Sequence, residues 1–461
     1  MIPALVLMRL VPPFMSPDEN VHIARADMLV HGKILLEPAP KNIPIEAGGS
    51  GGEIDKNLFL FILQSLHLNF PENPAPARLA EPLKLQNLNS FEDLRSMGQK
   101  TYWSDQQLFS PASGTGYYFP VIYIPHAAAL WLGKNMGLSL MASYDLVRIT
   151  VATICITLII LSAQLLTLPP IAVGILFTPM ALFQWISPTI DGLTMGLTLY
   201  AISIFLAELK SAQPSSQRQV ILAISIFIIS TTRIHMLPML ALQFYLAWHH
   251  HSKKTLLLSI ENTIFSLGWI IFAVTSTIDT RINRSYSTIE IVRIYINQPI
   301  EFIHLLYRTL SNQDLQNFYF QSFIGKLGWL DAPIDSQHLK FLTLGLVALF
   351  FISLYLSKNT RFEFFKARVL LIIISLSSII ITFAALAITW TSYPADTIQG
   401  IQGRYFILPI FVACCALWIP TTDKSSVLSH YVSKKLFGIY ILYSVYVTGI
   451  TLIQHYQLSI F

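Results

Sequence analysis

Residues 368–390 read RVLLIIISLSSIIITFAALAITW, an arginine followed by 22 residues without a charged side chain. A helix that rises about 1.5 Å per residue needs roughly 20 such residues to cross the hydrocarbon core of a bilayer. The apolar residues form an uninterrupted run instead of one face of an amphipathic helix. The run therefore predicts a transmembrane helix.

Similar apolar runs recur along the chain, and they predict about eleven transmembrane helices. The first is short, because 14 residues rise only about 21 Å. We expect that this helix either begins upstream of Met1 or is an unusually short span. The predicted spans are residues 1–14, 144–167, 170–187, 192–209, 219–232, 235–249, 255–277, 339–356, 368–390, 404–420 and 436–457.

The composition agrees with a membrane protein. Hydrophobic residues make up 53% of the 461 residues, charged residues only 12%, and the mean hydropathy is +0.56. Soluble domains carry about a quarter charged residues. The net charge of +5 comes mostly from Lys and Arg that flank apolar runs, so it does not imply nucleic-acid binding. Cys155, Cys414 and Cys415 lie inside apolar runs and show neither a disulfide framework nor a metal-type spacing.

Two polar regions, residues 15–143 and 278–338, divide the apolar runs into segments 1–14, 144–277 and 339–461. Basic residues in short loops mark the cytoplasmic side of a membrane protein. We therefore place both polar regions outside and expect a multi-pass protein of the bacterial inner membrane with a large first extracytoplasmic loop. Eleven Lys and Arg residues occupy the four predicted cytoplasmic loops, 210–218, 249–254, 357–368 and 421–435.

Residues 119–138 decide whether this topology holds. They are fairly apolar, but they contain Pro120, Pro125, His126 and Lys134. We interpret them as a juxtamembrane helix on the outer surface. If they crossed the membrane instead, every later loop would change sides relative to residues 15–118.

A short motif directly after the first apolar run reads SPDENVHIARA, residues 16–26. Ser16 as N-cap, Pro17 at the first helical position and Glu19 three residues after Ser16 predict a capping box. Asp18, His22 and Arg25 would then share one face of the helix. The cap explains Ser16, Pro17 and Glu19 without any chemistry, which leaves Asp18 as the main candidate.

Charged residues at the end of a membrane span are costly and are therefore candidates for function. Asp191, Arg233, His235 and Arg404 all fall at the predicted outer boundary, although they come from three separate places in the sequence. Arginines there could stabilise a phosphate through charge-assisted hydrogen bonds. They could equally be interfacial arginines that extend towards lipid headgroups.

The segment Gly325–Asp331 places Trp329 between two charged residues and flexible glycines. An aromatic face can stack on a sugar, so we predict that Trp329 covers a bound glycan. An aromatic residue at the membrane interface is the more common reason for such a tryptophan.

Five motifs in this order resemble those of a bacterial family of polytopic membrane proteins that is known only as a domain of unknown function. That family in turn resembles the GT-C glycosyltransferases, which include the protein O-mannosyltransferases and the aminoarabinose transferase of lipid A. The motifs cover nearly the whole chain and are Pro13–Ala26, Tyr118–His126, Pro179–Asp191, Phe323–Asp331 and Gln402–Phe406.

The resemblance implies an all-α, GT-C-like polytopic bundle that transfers a sugar from a polyprenyl-phosphate donor to a glycan or lipid-linked acceptor, with membrane lipids around it. Asp18 matches the acidic motif of that superfamily and would be the general base, with Glu19 beside it. Arg233 matches a basic residue in its Thr-Lys-like turn, and Arg404 with Tyr405 matches its phosphate-binding Arg-Tyr pair. The remaining substrate-binding candidates are His22, Arg25, Asp191, His235, Trp329 and Gln402.

We therefore hypothesise an inverting transferase without a covalent intermediate, and we expect Asp18, Arg233 and Arg404 to converge on one externally open chamber. No cofactor is predicted, although Asp18 and Glu19 are hard oxygen ligands that suit a divalent metal. A transporter or flippase for an envelope precursor is the first alternative, and we find neither the internal repeat nor the mid-membrane charges typical of one. A polymerase or ligase of lipid-linked glycans is the second alternative.

Overall fold

The computed structural model describes residues 2–41, 49–72, 85–279, 284–358, 364–418 and 427–456, and for residues 427–434 it describes the backbone alone. Helices dominate this part of the chain. Some predicted segments lie partly outside the described residues or side chains, namely residues 421–434 of the loop 421–435, residues 359–363 of the loop 357–368, the last two residues of the span 404–420 and the last residue of the span 436–457.

The N-terminal region combines short helices with a small sheet that the sequence analysis did not predict. Strands β1, β2 and β3 form an antiparallel sheet in that order, with Gly51 opposite Pro111. A Cβ atom on Gly51 would lie 2.2 Å from the Ser110 carbonyl oxygen, so only glycine fits there. The elements are α1 (Ile2–Leu10), α2 (Glu19–Val30), β1 (Glu37–Pro38), β2 (Ser50–Asp55), α3 (Lys56–Asn69), α4 (Phe91–Lys100), β3 (Gln107–Pro111), 3-10 turns at Ser113–Thr115 and Pro120–Tyr123, and α5 (Ile124–Asn135).

The central helices follow without a large loop. They are α6 (Leu140–Leu165), α7 (Pro170–Leu176), α8 (Pro179–Ile186), α9 (Ile190–Lys210), α10 (Ser216–Thr232), a 3-10 segment at Ile234–Met239, α11 (Leu240–His249) and α12 (Lys253–Ser276).

The C-terminal part begins with three short helices and a two-stranded hairpin. Its elements are α13 (Thr288–Asn297), α14 (Pro299–Ser311), α15 (Gln313–Ile324), β4 (Lys326–Leu327), β5 (Ala332–Pro333), α16 (Ser336–Leu356), α17 (Phe365–Thr389), a 3-10 turn at Gly403–Phe406, α18 (Ile407–Cys415) and α19 (Val427–Tyr456).

Six helices among the described residues are long and apolar enough to cross a membrane. The predicted count of about eleven is therefore not confirmed. Proline accounts for several differences, because it cannot donate a helical hydrogen bond and clashes with the preceding turn. Pro12 and Pro13 follow the end of α1, Pro179 restarts the chain as α8, and Pro238 lies in the 3-10 segment before α11. The six are α6, α9, α12, α16, α17 and residues 435–456 of α19.

Helix α9 lies at the centre of the molecule. About 78% of its most apolar window is buried inside the protein, compared with 17% for α16. It packs mainly against α6 and α10. A 21-residue helix is about 31 Å long, so Asp191 in its first turn and Glu208 in its last turn are separated by most of that length.

Several loops predicted to share the cytoplasmic side meet at the Glu208 end of α9. The His250 ring nitrogen Nε2 lies 3.1 Å from the Glu208 carbonyl oxygen, and the Lys210 ammonium lies 5.3 Å from the centre of the Trp418 ring. The Arg368 guanidinium donates to the Trp418 carbonyl oxygen at 2.6 Å. The loops 210–218, 249–254 and 357–368 therefore each contribute a residue at this end of the bundle.

Candidate functional site

Asp18 lies at the junction between the first helix and α2. Its backbone φ angle is +62°, in the left-handed region, which aspartate tolerates better than most residues. Helix α2 begins at Glu19, so Asp18 is the N-cap residue. The predicted N-cap, Ser16, was therefore wrong by two residues.

Glu19 fixes the backbone on which Asp18 sits. Its carboxylate accepts hydrogen bonds from the backbone N–H of Phe14 at 3.1 Å and of Ser16 at 3.0 Å, and from the Tyr144 hydroxyl. Its contact with Ser16 is one half of the predicted capping box. Burial raises the pKa of Glu19, while the charge of Arg148 lowers it. Glu19 is fully buried and does not line the cavity described below, so its observed contacts are structural.

Arg148 completes this anchor. Its guanidinium donates to the carbonyl oxygens of Met8 at 2.8 Å and Val11 at 2.9 Å, and it lies 4.8 Å from the centre of the Tyr144 ring. These carbonyls belong to the end of α1, where a helix leaves its last C=O groups without partners. Arg148 and Glu19 together hold the chain between α1 and α2 in one conformation.

Asp18 starts a chain of four charged side chains. Nη2 of Arg404 donates to Asp18 at 3.2 Å, and Nη1 of the same guanidinium donates to Asp191 at 3.3 Å. The second oxygen of Asp191 accepts a hydrogen bond from Arg233. The structure thus joins four distant parts of the sequence through direct ion pairs.

Burial differs sharply along this chain. The side chains of Arg404, Arg233 and Asp191 are 4%, 12% and 15% exposed, whereas that of Asp18 is 49% exposed. The four formal charges sum to zero. An anion that binds the arginines must therefore compete with a carboxylate, and Asp18 is the one that can most easily move into solvent.

The turn before α18 positions Arg404. Gly403 packs so closely on α15 that a Cβ atom would lie 1.9 Å from the Tyr319 carbonyl oxygen. The Arg404 Nε–H donates to the Gln402 side-chain oxygen at 2.6 Å, and the guanidinium carbon lies 5.4 Å from the centre of the Tyr405 ring. Gln402 and Tyr405 therefore help to orient the arginine.

Arg233 follows the last residue of α10, and its guanidinium lies over the Tyr118 ring at 5.6 Å. Thr231 and Thr232, just before it, also line the cavity. Neither these threonines nor Tyr118 were predicted as site residues, although Tyr118 begins one of the five motifs and the threonines end the predicted span 219–232.

The four charges line one cavity of about 380 Å³. Pockets of roughly 300–1,000 Å³ are typical for small ligands. His22, His235 and Tyr405 share the polar part of its lining. The apolar part of the lining, which we call the apolar wall, comes from α12, α13 and α17, namely Ile270, Ala273, Val292, Ala385, Leu386 and Ile388. The cavity thus offers a charged surface and an apolar surface to the same ligand.

His22 reaches this cavity one turn after Asp18. Its Nδ1 lies 2.8 Å from the Tyr123 hydroxyl, so the two share a hydrogen bond. Burial lowers the pKa of His22 to about 3, although the charge of Asp18 acts in the opposite direction. The imidazole is therefore neutral at physiological pH and acts as a polar contact without charge.

Two other predicted substrate-binding residues lie elsewhere. The Arg25 guanidinium is buried and donates to the carbonyl oxygens of Lys33, at 2.9 Å, and Ile34. The Trp329 indole N–H donates to the Phe14 carbonyl oxygen at 3.0 Å, and its ring packs edge-on against Phe70. Neither lines the cavity, so the structure does not bring these two predicted residues together with the ion-pair chain.

Asp18 and Glu19 do not form a joint metal site, because their carboxylates have different partners. Within the described part of the chain, no group of three or more His, Cys, Asp or Glu side chains is arranged to hold a metal ion.

The residues of this cavity lie in the part of the chain that matches a known protein family. A family model with the description "Predicted membrane protein (DUF2142)" matches residues 4–414. The chain belongs to this family. The match includes all the residues of the cavity. No curated protein and no solved structure matches the chain.

Proposed function

We propose that this member of the family is an inverting glycosyltransferase that uses a polyprenyl-phosphate sugar as donor, on the outer face of the bacterial inner membrane. One observation carries the proposal: Asp18, Arg404, Asp191 and Arg233 form a continuous ion-pair chain in a cavity that is also lined by the apolar wall. A lipid phosphate has the same two chemical parts, a charged group and a hydrocarbon chain.

The arginines supply the binding and stabilisation of the leaving group. Charge grows on the lipid phosphate as the glycosidic bond breaks, and fixed guanidinium donors stabilise such charge. Arg233 and Arg404 are held in place by Asp191, which contacts both. Asp191 is therefore proposed as a positioning residue for the two arginines.

The zero net charge of the ion-pair chain suggests how binding and chemistry are linked. A phosphate that takes over the Arg404 donor displaces Asp18, because Asp191 stays bound between both arginines. The displaced Asp18 carboxylate is then available to an acceptor hydroxyl. Substrate binding would thus prepare the base.

In the transfer step, the acceptor hydroxyl oxygen forms a bond to the anomeric carbon from the side opposite the phosphate. The hydroxyl proton moves to Asp18. The bond between the anomeric carbon and the phosphate oxygen breaks, and its electron pair leaves with the polyprenyl phosphate. The anomeric configuration inverts once, and no covalent enzyme intermediate forms.

A transporter or flippase of lipid-linked precursors remains the alternative, and one observation favours it. The apolar segment 170–187 is interrupted between α7 and α8, and discontinuous helices are common in transporters. The ion-pair chain, however, includes the first turn of α9 and lies near one end of that helix. A flippase without transferase activity does not need a general base at Asp18.

The proposal is tested in a deletion strain by its profile of lipid-linked and surface glycans. Wild type and Glu37→Gln, a change at an exposed acid of the same N-terminal region, are expected to restore the profile. Asp18→Asn, expressed at the same level, is expected to leave the unglycosylated acceptor in place. Full restoration by Asp18→Asn would show that the assignment of the base is wrong.

A further inference from the structure

A second cavity of about 390 Å³ adjoins the cavity with the ion-pair chain. We call it the polar chamber. The two cavities have Tyr117, Val274, Thr288 and Thr389 in common as lining residues. A molecule in the polar chamber can therefore extend towards the ion-pair chain. The reaction proposed above places no part of either substrate in the polar chamber.

The chemistry of the polar chamber differs from that of its neighbour. Thr277, Tyr286, Ser287 and the shared Tyr117, Thr288 and Thr389 provide hydroxyl groups, and Asp279 and Arg284 add one carboxylate and one guanidinium. A hydrocarbon chain in this space offers no hydrogen bond to these polar groups, whereas a ligand with hydroxyl groups can donate to them and accept from them. The polar chamber therefore suits a ligand that is rich in hydroxyl groups.

Arg284 is fixed in the wall of the polar chamber. Its guanidinium donates to the Ile388 carbonyl oxygen at 2.7 Å and to the Thr288 hydroxyl at 3.3 Å. These two bonds connect the end of α17 to the start of α13. Among the described residues of the lining, the charges of Arg284 and Asp279 are opposite and balance, which favours an uncharged ligand over a second phosphate.

Aromatic rings continue from the polar chamber to the protein surface. Tyr286 is 41% exposed, and its ring lies 5.7 Å from that of Tyr393 with an angle of 80° between the planes. The Tyr393 ring in turn lies 6.1 Å from that of Tyr295. Exposed aromatic faces next to hydroxyl groups are the surfaces on which sugar rings pack.

We infer that the polar chamber binds uncharged sugar units of the acceptor glycan. This inference rests on the proposed function, since it assigns the apolar wall to the donor lipid and the polar chamber to the other substrate. The acceptor would enter past Tyr286, and its reactive hydroxyl would extend into the cavity that contains Asp18.

The test uses the full-length protein in lipid nanodiscs and two kinds of probe. One is a panel of neutral methyl glycosides (mannoside, glucoside, galactoside and N-acetylglucosaminide), and the other is undecaprenyl phosphate. Tyr286→Ala is expected to raise the Kd of at least one glycoside about tenfold, the size expected for one aromatic contact. It should leave the Kd of undecaprenyl phosphate unchanged.

Two further variants distinguish a local effect on the polar chamber from general damage to the fold. Tyr307→Ala removes a tyrosine that is 71% exposed on α14 and does not line the polar chamber, so both Kd values should stay unchanged. Thr277→Val keeps the side-chain shape but removes one hydroxyl of the polar chamber, so it should weaken glycoside binding alone.

The results separate this inference from the proposed function. If no glycoside binds the wild type, or if Tyr286→Ala and Thr277→Val bind glycosides as well as the wild type does, the assignment of the polar chamber is overturned. If glycosides bind as expected and undecaprenyl phosphate does not bind, the donor assignment fails instead.

Discussion

The two ends of α9 both carry a carboxylate paired with arginine, but they differ in what surrounds the pair. At one end, Asp191 bridges Arg233 and Arg404 in the wall of a cavity. At the other end, the fully buried Glu208 accepts from Arg218 at 3.3 Å and from the Ser215 backbone N–H at 3.0 Å. The Arg218 side chain is 41% exposed, whereas both partners of Asp191 are largely buried.

The comparison shows why an ion pair alone does not indicate function. The pair at Glu208 ties the end of α9 to the start of α10, and its arginine can reach water. The pair at Asp191 holds two desolvated guanidinium groups beside an open volume, which is costly unless a partner compensates them. The predictions below test this contrast.

The largest expected effect is on stability. Asp191→Asn leaves two largely buried guanidinium groups without their shared carboxylate and should lower the free energy of unfolding by about 3–5 kcal/mol. Glu208→Gln should cost only about 1 kcal/mol, since Arg218 can turn to water. Thermal unfolding of both variants in the same detergent checks the order, and an equal loss in both would contradict the contrast.

The next effect is on ligand binding. Arg404→Lys keeps the charge but removes the planar set of N–H donors that contacts Asp18, Asp191 and Gln402. It should weaken binding of undecaprenyl phosphate about tenfold, or roughly 1.4 kcal/mol. The matched change Arg218→Lys at the other end should leave this Kd unchanged, as titration in nanodiscs would show. Equal weakening by both variants would mean that the effect is not local.

The smallest effect concerns pH. The pKa of buried His22 is about 3, below the 6.5 of an accessible histidine, so the unfolded chain takes up a proton first as pH falls. Protonation of His22 in the unfolded chain therefore lowers the free energy of unfolding as pH drops below 6.5, by up to about 1.4 kcal/mol per pH unit. Between pH 7 and pH 5.5, the melting temperature of His22→Gln should fall less than that of the wild type. An identical fall in both would contradict a buried neutral imidazole.

Much of the site could be predicted from the sequence, because a charged residue at the end of an apolar run is expected to lie near one end of the helical bundle. Asp191, Arg233 and Arg404 were selected on that basis, and Asp18 was selected as the carboxylate that the predicted cap did not explain. The structure brings the four side chains together. The position of a residue along the bundle does not determine the direction in which a long side chain extends. Arg25 shares the helix of Asp18 but extends to the carbonyls of Lys33 and Ile34.

The rest of the site depends on packing that the sequence does not show. The apolar wall comes from α12, α13 and α17, and residues such as Ala273 and Leu386 cannot be distinguished in the sequence from residues that face lipid. The division of the apolar runs into helices was also only partly predictable. Most runs were correctly located as helices, but the proline breaks shortened several of them.

The most direct test of the account is the affinity of the Asp18→Asn variant for undecaprenyl phosphate. The proposed mechanism has Asp18 compete with phosphate for Arg404 in a neutral ion-pair chain. Removing the charge of Asp18 should then tighten binding roughly three- to tenfold, while the proposed glycosyl transfer should be lost. Unchanged or weaker binding would contradict the claim that phosphate displaces Asp18 from Arg404.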